Sequence, residues 1–188
     1  MSMASNVIII TGPIGSGKST ACEHLRACGY QTIDLDIVSN NILESKDSLG
    51  FLQKNFSECL KDFIIDRKLL ADIVFKNPER LKVLEDYLHP LVTEKLGSLI
   101  QNSSSDVFVE VSAPKNIHKN YETIVIFSDE EERRERLKSR GMTLLDINNR
   151  IKTQPDETWW KSLGKVIENN SLTELKAQLN KSLDLDNE

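Results

Sequence analysis

The sequence predicts an α/β domain built on a mainly parallel sheet, and three observations lead there. Short apolar runs alternate along the chain with segments of helical period. The first run, VIII at 7–10, passes at once into the glycine-rich turn GPIGSGKS at 12–19 and then into a helical pattern. The 188 residues, 39% hydrophobic and 28% charged with no low-complexity tract, suffice for one domain carrying a small insertion.

Taken in order, the branched residues of Asn6–Thr11 predict the first strand, and a helix starts near Lys18. A second strand is expected over Gln31–Asp36. There Ile33, Leu35 and Ile37 alternate with Asp34 and Asp36, which would put both carboxylates on one face at the strand's carboxyl end. A long helical section follows. Its clearest member begins at NPERL, where Asn77 can cap, Pro78 suits the first helical position, and Leu81, Leu84, Leu88 and Leu91 share a face. Further strands are predicted at Asp106–Val111, Thr123–Ser128 and Lys165–Glu168, five in all. SDEE from Ser128 and SLTE from Ser171 read as capping boxes, with Glu131 and Glu174 three residues on. Leu172, Leu175, Leu179 and Leu183 give the last helix its buried stripe, and the tail 184–188 is expected to fray.

A net charge of -5 argues against a general electrostatic grip on nucleic acid or an anionic membrane. Cys22, Cys28 and Cys59 have no metal-ligand spacing and suggest reduced thiols. Val7–Thr11 is too short for a signal core or a membrane span. A cytoplasmic protein with a small-molecule substrate is expected, with no nucleic acid, no membrane and no obligate protein partner.

Gly12 to Ser19 fits G-x-x-x-x-G-K-[ST], with a strand before it and a helix after it. A triphosphate needs close, preorganised donors. Glycines let backbone N–H groups converge, and the helix start adds its positive end. Gly12, Ile14, Gly15, Ser16, Gly17, Lys18, Ser19 and Thr20 are therefore the expected phosphate cradle. Lys18 can reach the β- and γ-phosphates, and the Ser19 hydroxyl is placed to ligate Mg²⁺. One of Asp34 and Asp36 can hold Mg²⁺ through water while the other orients or deprotonates an attacking hydroxyl, unless both are simply solvated acids at a strand end.

The order of TGPIGSGKST, IDLD, DRKLLADIVFKNPERLKVLEDYLHPLV, RIKTQ and VIENN resembles the dephospho-CoA kinase family, over about Val7 to Asn170. The resemblance implies a P-loop kinase fold: a five-stranded parallel sheet flanked by helices, with a helical acceptor-binding insertion and a lid. It implies phosphorylation of the ribose 3′-hydroxyl of dephospho-CoA by ATP, with Mg²⁺. By the same resemblance Asp36 and Lys18 are catalytic, Asp36 as base, and Arg67, His89 and Pro90 belong to the acceptor side. Arg140 and Arg150 match lid arginines near the ATP phosphates. The expected division is 1–36 with 102–188 for the nucleotide core, 37–101 for the insertion and 141–154 for the lid.

Plainer readings stand beside these. His89 before Pro90 can mark a helix kink, Arg67 can pair with Asp66, and Asp129 to Arg140 can be a solvated helix laced by Glu130–Arg134 and Glu132–Arg136, a reading preferred for all of that run except Arg140. Of the adjacent Trp159 and Trp160, one is expected in the core and the other at its rim. The chain also departs from the family pattern. Pro13 replaces a usual glycine, Asn40 stands where a basic residue is common, and the stretch between Phe56 and Asp66 is short. VEVSAPKNIHKN replaces a proline-leucine-leucine run followed by a glutamate near the acceptor, and Glu110 lies too early to be that glutamate. Another small-molecule kinase, for a nucleoside monophosphate or a sugar, and a non-catalytic nucleotide-binding module are the alternatives.

Overall fold

The computed structural model describes residues 6–101, 103, 105–114 and 119–183. Residues 115–118 of the altered VSAPKNIH stretch and the tail 184–188 lie outside the described residues. Two compact units form, Met1–Asp34 with Ser103–Glu188, and Leu35–Asn102.

In the first unit the predicted five-stranded sheet is present, with β1 (Val7–Thr11), β2 (Gln31–Asp34), β5 (Val107–Glu110), β6 (Glu122–Phe127) and β7 (Lys165–Glu168). The order is β2-β5-β1-β6-β7, and every neighbouring pair is parallel. The central strands of such a sheet are buried on both faces, which is why β1, β5 and β6 are apolar runs dominated by Val and Ile. The period of two then sorts them. Ile8, Ile10, Phe108, Ile124, Ile126 and Ile167 pack against Ala21, Cys22 and Leu25 of α1 (Lys18–Ala27) and Leu175 and Leu179 of α9 (Leu172–Ser182). On the opposite face Val125 meets Trp160 and Leu163, with Trp159 only partly buried at the edge, as the rim-and-core reading expects.

Two local expectations fail in this unit. Ser128 does not cap the helix that follows; α6 (Glu130–Ser139) starts after Asp129, and the Ser128 hydroxyl is buried and donates to Asn169 O at 2.8 Å. A buried carbonyl needs a donor more than an exposed helix end needs a cap. Leu172, at the head of α9, is 54% exposed, whereas Leu175 and Leu179 are fully buried. Ser171 does cap α9, its side chain accepting from Glu174 N.

The second unit holds α2 (Leu35–Leu43), α3 (Leu49–Asn55), α4 (Arg67–Lys76) and α5 (Pro78–Gln101). Here the expected second strand is cut short. β2 ends at Asp34, and Asp36 lies in the first turn of α2. Leu35–Leu43 follows a helical period, and an acid in a first turn is favoured by the helix dipole. The two aspartates therefore do not share a strand face. A small antiparallel hairpin, β3 (Leu60–Lys61) with β4 (Ile64–Ile65), occupies the short stretch before Asp66 and was not foreseen. Leu43, Leu52, Phe56, Cys59, Leu70, Val74 and Leu84 form the core, with Leu81 and Leu88 packed beside it. Asn77 caps α5 as predicted, its Oδ1 accepting from Glu79 N and Arg80 N at 3.1 Å each.

Candidate nucleotide site

The turn after β1 is set by its glycines. Gly12 has φ +148, and a Cβ there would stand 2.0 Å from Ile126 O, so no side chain fits. Gly17 has φ +101 and serves as N-cap of α1 without any side-chain cap. No acid lies in the first turn of α1. A helix start with neither a side-chain cap nor an acid is the usual geometry of an anion site. Lys18 Nζ donates to Gly12 O at 2.9 Å and Pro13 O at 3.3 Å, lying back over the loop. Ser16 Oγ is buried and makes no hydrogen bond among the described residues.

Not every amide of the predicted cradle faces a ligand. Ser16 N donates to Pro13 O at 3.2 Å, closing a turn within the loop, and Ile14 N donates to Gln154 Oε1 at 2.9 Å. Gln154 follows α7 (Leu144–Lys152), so the end of the segment predicted as a lid is tied to the loop. Arg140 caps α6 just before Gly141 at φ +82, and Arg150 lies on α7; both are exposed.

The residue that sequence reasoning set aside is Glu110. At the carboxyl end of β5 it stands in register with Asp34 of β2 and accepts from Ser19 Oγ at 2.9 Å. Burial pushes its carboxyl above the ordinary range, opposed by the Ser19 hydrogen bond and the Lys18 charge and reinforced by Asp34. Cys22, one turn along α1, is driven up by burial and by this same carboxylate, which keeps it a neutral thiol. The signal was in the sequence. An acid that ends an apolar run, VFVE, belongs at the carboxyl edge where α/β sheets bind ligands.

Within Leu35–Asn102, Arg67 pairs with Glu44 at 3.4 Å and not with Asp66, whose side chain caps α4 by accepting from Leu69 N. His89 and Pro90 are exposed on α5, which runs through them as one helix. Asp36 is exposed near the start of α2. A cleft of about 600 Å³ lies between Leu43–Lys46, Leu49, Leu52 and the hairpin residues Asp62–Ile65. Among the described residues no group of three or more His, Cys, Asp and Glu is placed to hold a metal, and no helix is long and apolar enough to cross a membrane.

The family model described as dephospho-CoA kinase matches residues 6–174. A dephospho-CoA kinase of Thermus thermophilus is 36% identical over 182 residues, covering 92% of this chain and 88% of the relative. A crystal structure from Thermus thermophilus superposes with a TM-score of 0.87 at 30% identity, covering 99% of this chain and 100% of that one. A dephospho-CoA kinase structure from Campylobacter jejuni gives a TM-score of 0.71 at 26% identity, over 96% of each chain.

Proposed function

The chain belongs to the dephospho-CoA kinase family, and from that premise we propose that it transfers the γ-phosphoryl group of ATP to the ribose 3′-hydroxyl of dephospho-CoA. The observation that carries the reading is the turn at Gly12–Ser19. A helix start without side-chain cap or acid adjoins a lysine folded over the loop, and a serine hydroxyl lies 2.9 Å from a buried carboxylate. These are the parts that phosphoryl transfer asks of a protein, since the reaction needs positioning and charge neutralisation far more than covalent chemistry.

The acceptor oxygen bonds to the γ-phosphorus as the bond to the β,γ-bridging oxygen breaks, and ADP leaves with that electron pair. Asp36 takes the hydroxyl proton. Lys18 turns from the carbonyls of Gly12 and Pro13 to the β- and γ-phosphates, while Arg140 and Arg150 neutralise charge at the same phosphates from the lid. Arg67 and His89 hold the acceptor. The oxygen donors Ser19 and Glu110, with Asp34 in register, suit Mg²⁺, which takes few protein ligands and keeps waters and phosphate oxygens for the rest. Bound there, Mg²⁺ would supply neutralisation of the charge on the phosphates. ATP as co-substrate and cysteines that are free thiols suit a cytoplasmic setting.

Mass detection of coenzyme A formed from ATP and dephospho-CoA tests the reading. A panel with nucleoside monophosphates and sugars runs beside it. Product from one of those acceptors and none from dephospho-CoA would overturn the assignment, and so would nucleotide binding without transfer to any acceptor.

A further inference from the structure

The phosphate loop is held from behind by side chains that enter late in the sequence. Ser16 O accepts from Asn169 Nδ2 at 2.7 Å, Arg136 Nη1 at 3.4 Å and Ser128 Oγ at 3.4 Å. Arg136 Nη1 also donates to Ser128 Oγ at 2.7 Å and reaches Gly15 O at 3.5 Å. Arg136 Nη2 donates to Asn169 O at 2.6 Å and to Glu132 Oε2 at 3.1 Å. One residue earlier, Ile14 O accepts from Arg133 Nη1 at 3.3 Å. Three successive carbonyls, at Ile14, Gly15 and Ser16, thus point to donors on α6 and at the ends of β6 and β7.

Geometry turns this into a functional statement. In a planar trans peptide the C=O and the next N–H point in opposite directions. Fixing the carbonyls of Ile14 and Ser16 backwards therefore directs the N–H groups of Gly15 and Gly17 forwards, where an anion would sit. The planar fork of Arg136 links the loop to Ser128 and Asn169 at once, which a single ammonium cannot do. Its Glu132 pair is one contact among several.

We infer that Arg136 is a positioning residue for nucleotide binding, acting on the Ser16 carbonyl both directly and through Ser128 and Asn169 to aim the Gly17 amide at the phosphates. The inference rests on the reading of Gly12–Ser19 as the ATP phosphate site. It goes beyond that reading by assigning a role to a residue outside the loop, on α6.

The test is R136Q and R136K against wild type, with steady-state KM for ATP, KM for dephospho-CoA, kcat per folded molecule, and the Kd for ADP by calorimetry. R136Q should raise the KM for ATP and the Kd for ADP by about ten- to a hundredfold, as expected for loss of a charge-assisted hydrogen bond. R136K should raise them less, and the KM for dephospho-CoA should stay put. A purely structural arginine predicts a smaller folded fraction with unchanged KM for ATP, and that result would overturn the inference. If R136Q does not fold, R136K is judged by the same criterion. Wild type that binds no ATP overturns the phosphate-site reading itself, whereas wild type that binds ATP with variants that match it overturns the role of Arg136 alone.

Discussion

Gly17→Ala is a sharp probe of the loop, because its cost can be built up from the structure. Gly17 has φ +101, and a methyl group added there would stand 2.2 Å from Asn169 Nδ2. Left-handed backbone costs a residue with a Cβ roughly 1–2 kcal/mol. The methyl must also push aside the Asn169 amide, which holds Ser16 O at 2.7 Å. Losing that hydrogen bond on a buried carbonyl costs about 1–2 kcal/mol more. The sum is about 2–4 kcal/mol, and at roughly 2–4 °C per kcal/mol for a chain of this size the Tm should fall by about 5–15 °C. Calorimetric melts check this. ATP titration of the same variant should show weaker binding, since the amide of Gly17 is displaced with its Cα. Gly97 in α5 is the control: nothing lies within 4 Å of a Cβ built there, so Gly97→Ala should leave the Tm unchanged or raise it slightly. A Gly17→Ala protein that melts within about 2 °C of wild type and binds ATP equally well would refute the steric argument and the loop geometry with it.

Glu110 links stability to pH. Burial raises its pKa above the ordinary 4.5, so the protonated form is favoured by folding. That contribution is present below the unfolded pKa and is lost as pH rises through the folded one. Glu110→Gln should therefore gain stability relative to wild type as pH climbs from about 4 toward neutrality, while losing MgATP turnover because the ionised form is the one a cation needs. Melts across that range decide it, and a variant less stable than wild type at neutral pH would count against the burial argument. For the base, single-turnover rates should fall by about 10²- to 10⁴-fold in Asp36→Asn. Asp34→Asn should act chiefly on the Mg²⁺ requirement, so a larger rate loss there at saturating Mg²⁺ would move the base to Asp34.

The parallel sheet and the loop were legible because their signals are local. Branched runs mark buried strands, and a glycine pattern between strand and helix leaves few alternatives. The caps at Asn77 and Ser171 were legible for the same reason. Asp36 was misplaced because IDLDI alternates like a strand while LDIVSNNIL repeats like a helix, and the overlap hides the boundary. Ser128 was misread because its capping box is correct as a pattern, but the hydroxyl meets buried partners that no local window contains. Arg67 shows the same limit, since Glu44 is a better-placed partner than the adjacent Asp66, which the helix start needs.

The Glu132–Arg136 pair carries this furthest. It is present as predicted, at 3.1 Å, yet it accounts for only part of what the guanidinium does. A loop that turns its amides toward a ligand must turn carbonyls the other way, and those carbonyls, once buried, need donors. Glycine at 12, 15 and 17 makes the turn sterically possible but supplies no side chain to satisfy them. The donors must come from elsewhere, and here they lie 112, 120 and 153 residues along the chain at Ser128, Arg136 and Asn169. The fold brings them together because β6 and β7 follow β1 in the sheet and end behind the loop. A phosphate loop is therefore only half written in its own motif; the other half is whichever polar residues follow the neighbouring strands, and in this chain Arg136 bridges them.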